Sequence, residues 1–169
     1  MTGSLYQHFT DDHKRLEQLM IQANSNPDKI DFATYDEFRQ GLLQHISIEE
    51  KILLPAIHQA HGGHPFPSSA RLRLDHGALA ALMVPPPSQQ IIAAIKAILT
   101  DHNLIEESSG GLYETCEELV GKNLSNLMEK VRNLPEIAIL PTKSSPYVME
   151  AVRRALKRAG YDLDAYTGA

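Results

Sequence analysis

Apolar side chains recur along this chain at intervals of three and four residues, the spacing of a helix with one buried face. Leu5, Phe9, Leu16, Leu19 and Met20 form a first stripe. Phe38, Leu42, Ile52 and Leu53 form a second, and His45 and Glu49 fall on the same face. Asp31 precedes it as an N-cap, because its carboxylate can accept from the free amides of a first helical turn. Ser68 or Ser69 can cap a third helix running through Val84. Pro85-Pro86-Pro87 must end it, since proline lacks the amide donor and its ring clashes with the preceding turn. Ser88 can cap a fourth helix, carried by Ile91, Ile92, Ile95, Ile98, Leu99 and Ile105, with His102 on the stripe. No stretch alternates like a half-buried strand for long enough to displace this reading.

The chain therefore reads as all-α: an up-down-up-down four-helix bundle over residues 1–120, followed by a helical C-terminal extension over 121–169. Asn24 to Asp28, Gly62 to Pro65 and Pro85 to Ser88 carry the turn chemistry that joins the four long helices. Ser108-Ser109-Gly110-Gly111 bends or interrupts the fourth helix, and Leu112, Tyr113, Cys116, Leu119 and Val120 resume a helical stripe. Leu124 to Val131 reads as a short helix and Pro135 to Ser145 as an irregular connection. Ser145-Pro146 starts a last helix, and Gly160 stops it. Its basic end (Arg153, Arg154, Lys157, Arg158) suits the helix dipole and reads as a solvated face.

The chemistry lies in a repeat. Asp12-His13-Lys14-Arg15-Leu16 and Asp75-His76-Gly77-Ala78-Leu79 both read D-H-x-x-L, and each is followed three residues later by Leu-Met. Downstream of each, His45 to Glu50 and His102 to Glu107 both read H-x-x-I-E-E. One helical-hairpin plan thus occurs twice. His13 and His45 are equidistant from Lys29, His45 and His76 from the Ala60–His61 bond, and His76 and His102 from Gln89. Each centre lies in or beside a turn, so antiparallel helices bring the four histidines to one level within roughly 3 Å.

H-x-x-x-E on a helix puts both side chains on one face, one turn apart. A carboxylate turned into an apolar bundle must be neutralised or find a cation. The stripes offer no lysine or arginine as that cation. Two metal ions would satisfy His13, His45, Glu49, His76, His102 and Glu106 together, with both glutamates bridging and two histidines to each ion. Imidazole nitrogen with carboxylate oxygen suits iron first, with manganese or zinc as alternatives, over magnesium or calcium. About four protein bonds per ion leave positions for water, a bridging oxo or hydroxo group, or a small ligand.

Simpler accounts hold elsewhere. A single inward histidine is usually a hydrogen-bonded core residue, and a single H-x-x-x-E an exposed pair contributing about 0.2–0.5 kcal/mol. It is the doubled pattern that favours metal. His8, His58, His61 and His64 lie outside it and read as solvated. Glu50 and Glu107 point about 100° from the ligand face, which gives them supporting or solvent roles. Asp12 and Asp75 can orient imidazoles on neighbouring helices, although a helix-start charge is the simpler account. Cys116 reads as a small core residue, and no residue is assigned a catalytic role.

Composition narrows the classes. Apolar content is 43%, aromatics are 6% and tryptophan is absent, so the core is aliphatic. No run of about 18 apolar residues occurs, so no membrane partner is expected. Met1 to Leu5 lack the basic-then-apolar pattern of a secretory signal. One cysteine fits a reducing cytoplasm. A net charge of −5 without a basic patch argues against nucleic acid. A second copy of the chain, in a homodimer, stays open as a partner.

The motifs resemble the hemerythrin-like, or HHE, cation-binding family over roughly residues 5–120. D-H-x-x-L at Asp12 and Asp75 carries the resemblance. So does His45 to Pro55, which is similar to the family's H-x-x-x-E-E-x-x-L-x-P segment, and so does His102 to Glu107 followed by Leu112-Tyr113. The resemblance implies an up-down-up-down bundle with a non-haem di-iron centre that handles oxygen, nitric oxide or iron. Oxygen-carrying members have a second histidine one turn beyond the third-helix ligand, where this chain has Ala80, and an aspartate on the fourth helix, where it has Glu106. The set is similar to the four-histidine, two-glutamate version of iron–sulfur cluster repair proteins. The expectation is two equally open ions in a protein that binds or reacts with oxygen, peroxide or nitric oxide, in sensing, stress protection or iron handling. A reversible oxygen carrier and a di-iron oxidase or peroxidase are the alternatives, and whether the chain is an enzyme stays open.

Overall fold

Helices form wherever the apolar spacing marks them. In the computed structural model they are α1 (Ser4–Ala23), α2 (Phe32–Ile48), α3 (Leu54–Ala60), α4 (Ser69–Leu82), α5 (Gln89–Glu107), α6 (Leu112–Val120), α7 (Leu124–Asn133) and α8 (Pro146–Arg158). The structure describes residues 3–166. Met1 and Thr2, part of the N-terminal stretch weighed above, lie outside the described residues. No strand occurs among the described residues, and no helix there is long and apolar enough to cross a membrane.

Three of the expected caps form, while Ser68 stands at the N-cap of α4 without a side-chain bond to its amides. Asp31 accepts from the amides of Ala33 and Thr34, Ser88 from Ile91, and Ser145 from Val148. Gly160 takes a positive φ of 88° after α8. Two further details differ from expectation. α4 stops at Leu82 rather than Val84, because Pro85 biases the residue before it away from helix. Met83 and Val84 close the end with tighter bonds to the carbonyls of Ala80 and Ala81. The second helix does not run evenly either. Between α2 and α3 lies a π-helical segment, Glu49–Leu53, in which the amide of Leu54 bonds to the carbonyl of Glu49. Pro55 explains it: without an amide it cannot continue the ordinary ladder, and a widened turn gives its ring room.

Two aliphatic clusters hold these helices, with a polar layer between them. One gathers Leu16, Met20, Phe38, Leu42, Leu79, Leu82, Ile91 and Ile95 with Val152 and Leu156 of α8. The other gathers Leu5, Phe9, Leu53, Ile57, Leu72, Leu112, Tyr113 and Cys116 with Leu127 and Val131 of α7. α1 packs along α2, α4 against α5 and α8, and α6 against α1, α3 and α5. The irregular stretch after α7 is tied down along α2. There Arg39 donates to the carbonyls of Met83 and Leu140, and Gln44 bonds both ways with the backbone at Pro135 and Ile137.

Candidate metal centre

Four helices and the start of the widened turn each carry part of one cluster. α1 supplies His13, α2 His45, α4 His76, and α5 His102 and Glu106, while Glu49 opens the π-helical turn. All six side chains are buried, the two glutamates completely. Their donor atoms fall into two groups, each with atoms within 4.8 Å of one another: His13, His45, Glu49 and Glu106, and Glu49, His76, His102 and Glu106. Both groups contain both glutamates. Glu49 turns Oε1 to His45 at 3.2 Å and Oε2 to His76 at 3.1 Å. Glu106 turns Oε2 to His13 at 3.3 Å and Oε1 to His102 at 2.9 Å.

Behind this layer stands a second one. Every imidazole keeps Nε2 for the centre and turns Nδ1 to a carboxylate on another helix. His13 faces Glu107 at 2.5 Å, His45 faces Asp12 at 2.8 Å, His76 faces Glu50 at 2.6 Å and His102 faces Asp75 at 3.2 Å. The second glutamate of each H-x-x-I-E-E and the aspartate of each D-H thus hold an imidazole supplied by the other motif. Such a carboxylate sets the ring's orientation and raises the basicity of the inward nitrogen, the arrangement seen behind metal-bound histidines. The helix-start account of Asp12 and Asp75 is thereby overturned. Both sit inside their helices, and Asp75 is fully buried.

A family model, the hemerythrin HHE cation binding domain, matches residues 4–122. The chain belongs to the hemerythrin HHE cation-binding family. No curated protein and no solved structure matches it. Membership implies metal binding, and the two His/Glu groups of this hemerythrin domain are what an ion would meet. His8, His58, His61 and His64 stay exposed, outside the cluster. Cys116 is buried, and its thiol is pushed up to about 12 by that burial and by Glu117, which fits a packing role.

Two residues escape the sequence reading. Arg71 donates to Asp75 at 2.8 Å and is itself held by the Ala159 carbonyl and the Tyr161 hydroxyl beyond α8. A cation therefore does reach the second layer, although the stripes themselves carry none. Tyr113 is the larger omission. Its hydroxyl lies 2.7 Å from Glu49 Oε1 and 3.0 Å from Glu106 Oε2, with His13 Nε2 and His45 Nε2 at 3.0 and 3.3 Å. The expectation of two equivalent halves fails here, because the half with His76 and His102 has no counterpart. The available signal was chemical: a tyrosine on a buried stripe needs a partner for its hydroxyl.

The electrostatics are those of a site arranged around positive charge. Burial alone would lower the histidines, yet the facing carboxylates outweigh it and bring His45 and His102 up to about 10, with His13 and His76 also raised. Burial opposes ionisation of Glu49 and Glu106, and the histidines reverse that too, holding Glu49 well below 4.5 and Glu106 below it. Tyr113 is driven the other way, well above 10, by burial and by Glu106 and Glu49. The raised histidines stabilise the metal-free fold fully below 6.5, and that contribution is lost as pH rises through about 10. The depressed glutamates stabilise it above 4.5 and less as pH falls. Urea unfolding of metal-free protein should thus show maximal stability between pH 4.5 and 6.5 and a steady fall toward pH 10. A profile flat from pH 6.5 to 10 would mean that these imidazoles are neutral throughout.

Proposed function

We propose that this chain holds two iron ions in an up-down-up-down bundle made by α1, α2, α4 and α5, and uses them to bind or react with oxygen, peroxide or nitric oxide. The observation that carries the reading is the sharing of Glu49 and Glu106 between two groups of buried donors. One ion would lie among His13, His45 and one oxygen of each glutamate, the other among His76, His102 and the opposite oxygens. Three atoms turned to the second position, Glu49 Oε2, His76 Nε2 and Glu106 Oε1, are buried without a hydrogen-bond partner. Their contacts are ion pairs, Glu49 Oε2 with His76 at 3.1 Å and Glu106 Oε1 with His102 at 2.9 Å, and a metal ion taking the place of the imidazole protons would satisfy all of these atoms at once. Nitrogen and carboxylate donors with vacant positions suit iron better than a closed tetrahedral zinc.

A pair of iron ions supplies one-electron oxidation and reduction and open positions for a small ligand; the protein supplies access and shielding. A cavity of about 600 Å³ reaches the imidazoles of His13, His45 and His102 between walls that include Leu16, Met20, Leu42, Leu79 and Ile95. Lys14, Glu17, Lys96 and Asn103 line it too, so the route is apolar along one side and polar along the other, and it is wide enough for a small molecule. Glu107, Asp12, Glu50 and Asp75 hold a proton on Nδ1, so that an ion entering the site would displace only the proton on the inward nitrogen. A reducing cytoplasm suits a chain whose one cysteine is buried and unpaired.

The test begins with protein purified without added metal or chelator. Elemental analysis should find two iron atoms per chain. After anaerobic reduction, admission of oxygen should change the charge-transfer absorption within minutes and irreversibly. Full reversal on removing oxygen would make the chain a carrier instead. Catalytic consumption of peroxide or nitric oxide would make it an enzyme, and absence of any stoichiometric metal would sink the reading.

A further inference from the structure

We propose that the hydroxyl oxygen of Tyr113 is a fifth ligand to the ion held by His13, His45, Glu49 and Glu106, so that the two ions sit in unequal five-donor and four-donor sites. The inference rests on the two-metal reading above and concerns the one polar group at the centre that neither the repeat nor that reading uses.

Geometry carries it. An ion with bonds of about 2.1 Å and right-angled neighbours keeps adjacent donor atoms about 3.0 Å apart. His13 Nε2 lies 3.0 Å from His45 Nε2 and 3.3 Å from Glu106 Oε2, and His45 Nε2 lies 3.2 Å from Glu49 Oε1. These four atoms follow one another around an open ring. The Tyr113 oxygen stands over that ring at 2.7 to 3.3 Å from all four members. Five donors at such separations can form the base and apex of a square pyramid around an ion. The other group offers no apex: no side-chain hydroxyl bonds to Glu49 Oε2, His76 Nε2 or Glu106 Oε1.

The chain is built to put the tyrosine there. In the first H-x-x-I-E-E segment two residues, Lys51 and Ile52, separate Glu50 from Leu53-Leu54. In the second, four residues separate Glu107 from Leu112-Tyr113, so Tyr113 stands where the first copy has Leu54. The added residues make a tight reversal. Gly110 takes a φ of 75°, and at Gly111 a Cβ would lie 2.6 to 2.7 Å from the carbonyl oxygens of Ile105, Glu106 and Ser108. Only glycine fits there, and the reversal restarts the helix with Tyr113 turned inward and fully buried. Phe9 stacks on its ring at 4.9 Å between centroids, which fixes the direction of the oxygen. Coordination would break the O–H bond as the oxygen–iron bond forms. The proton leaves to solvent, and no electron changes hands.

The test uses the full chain loaded with iron and oxidised, compared with Tyr113→Phe and Tyr6→Phe prepared the same way. Metal per chain is measured first, and circular dichroism checks that each variant is folded. Wild type should show a phenolate-to-iron absorption band whose visible excitation enhances tyrosine ring modes in resonance Raman. Ring-deuterated tyrosine should shift those modes, a readout that needs no variant. The band should vanish in Tyr113→Phe and persist in Tyr6→Phe. Two irons in wild type with no phenolate modes would leave the two-metal reading standing and overturn this one, making the hydroxyl a hydrogen-bonding plug displaced by metal. Phenolate modes that survive Tyr113→Phe would assign the ligand to another tyrosine and overturn it equally. Failure of wild type to retain iron would overturn the reading beneath it, and this proposal with it.

Discussion

Glu49→Ala is expected to empty both metal positions, whereas Glu50→Ala, one residue along, should leave two ions bound. The difference follows from where the oxygens point. Glu49 reaches His45 and Tyr113 with one oxygen and His76 with the other, so its loss removes a donor from each group. Glu50 touches only the outer nitrogen of His76, with Arg73 at 3.4 Å on its other side. Loss of such an outer partner lowers metal affinity by roughly 10–100-fold without removing a ligand. The metal-free fold should separate the variants as well. Glu49 is completely buried among raised histidines, and removing one member of a buried ion pair costs about 3–5 kcal/mol. Glu50 is partly exposed, so its loss should cost far less. Elemental analysis of folded variants, with a metal titration for Glu50→Ala, decides the matter. Equal metal loss in the two would mean that the inward face has been misassigned.

Why the six inner residues were legible and Tyr113 was not is a matter of range. His13, His45, His76, His102 and Glu106 lie on regular helices at fixed spacings from turns, Glu49 follows directly on the end of one, and a doubled motif states those spacings twice. Local periodicity is enough to bring them to one level. The outer carboxylates were half legible. Helix geometry turns Glu50 and Glu107 away from the centre, but only the placing of the widened turn beside α4, and of α1 beside α5, decides that they meet His76 and His13. Tyr113 depends on an irregular feature, the glycine reversal after α5, whose effect on direction no helical repeat encodes. The widened turn at Glu49 is of the same kind: Pro55 marks a disturbance, but its form depends on how the neighbouring helices accommodate it. Arg71 was hidden because its partners Ala159 and Tyr161 lie some 90 positions away in the chain.

The last 25 residues are also expected to matter more than a helical extension would suggest. α8 and the turn after it bury Val152, Ala155, Leu156, Ala159 and Leu163, most of them in the same cluster as Leu79, Ile91 and Ile95. Complete burial of a leucine or valine contributes about 1.5–3 kcal/mol, so Val152, Leu156 and Leu163 together contribute on the order of 5–9 kcal/mol. A whole domain is typically stable by about 5–15 kcal/mol. A chain ending at Ser144 should therefore lose most of its metal-free stability and melt far below the full chain, or show no cooperative melt. It should regain structure when metal is added, since the free energy of binding is then also folding free energy. Leu156→Ala gives a graded version, with an expected cost of about 2–5 kcal/mol. Thermal melts of the three proteins, with and without iron, are the measurement. A truncated, metal-free chain melting within a few degrees of full length would show that α8 merely rests on the bundle.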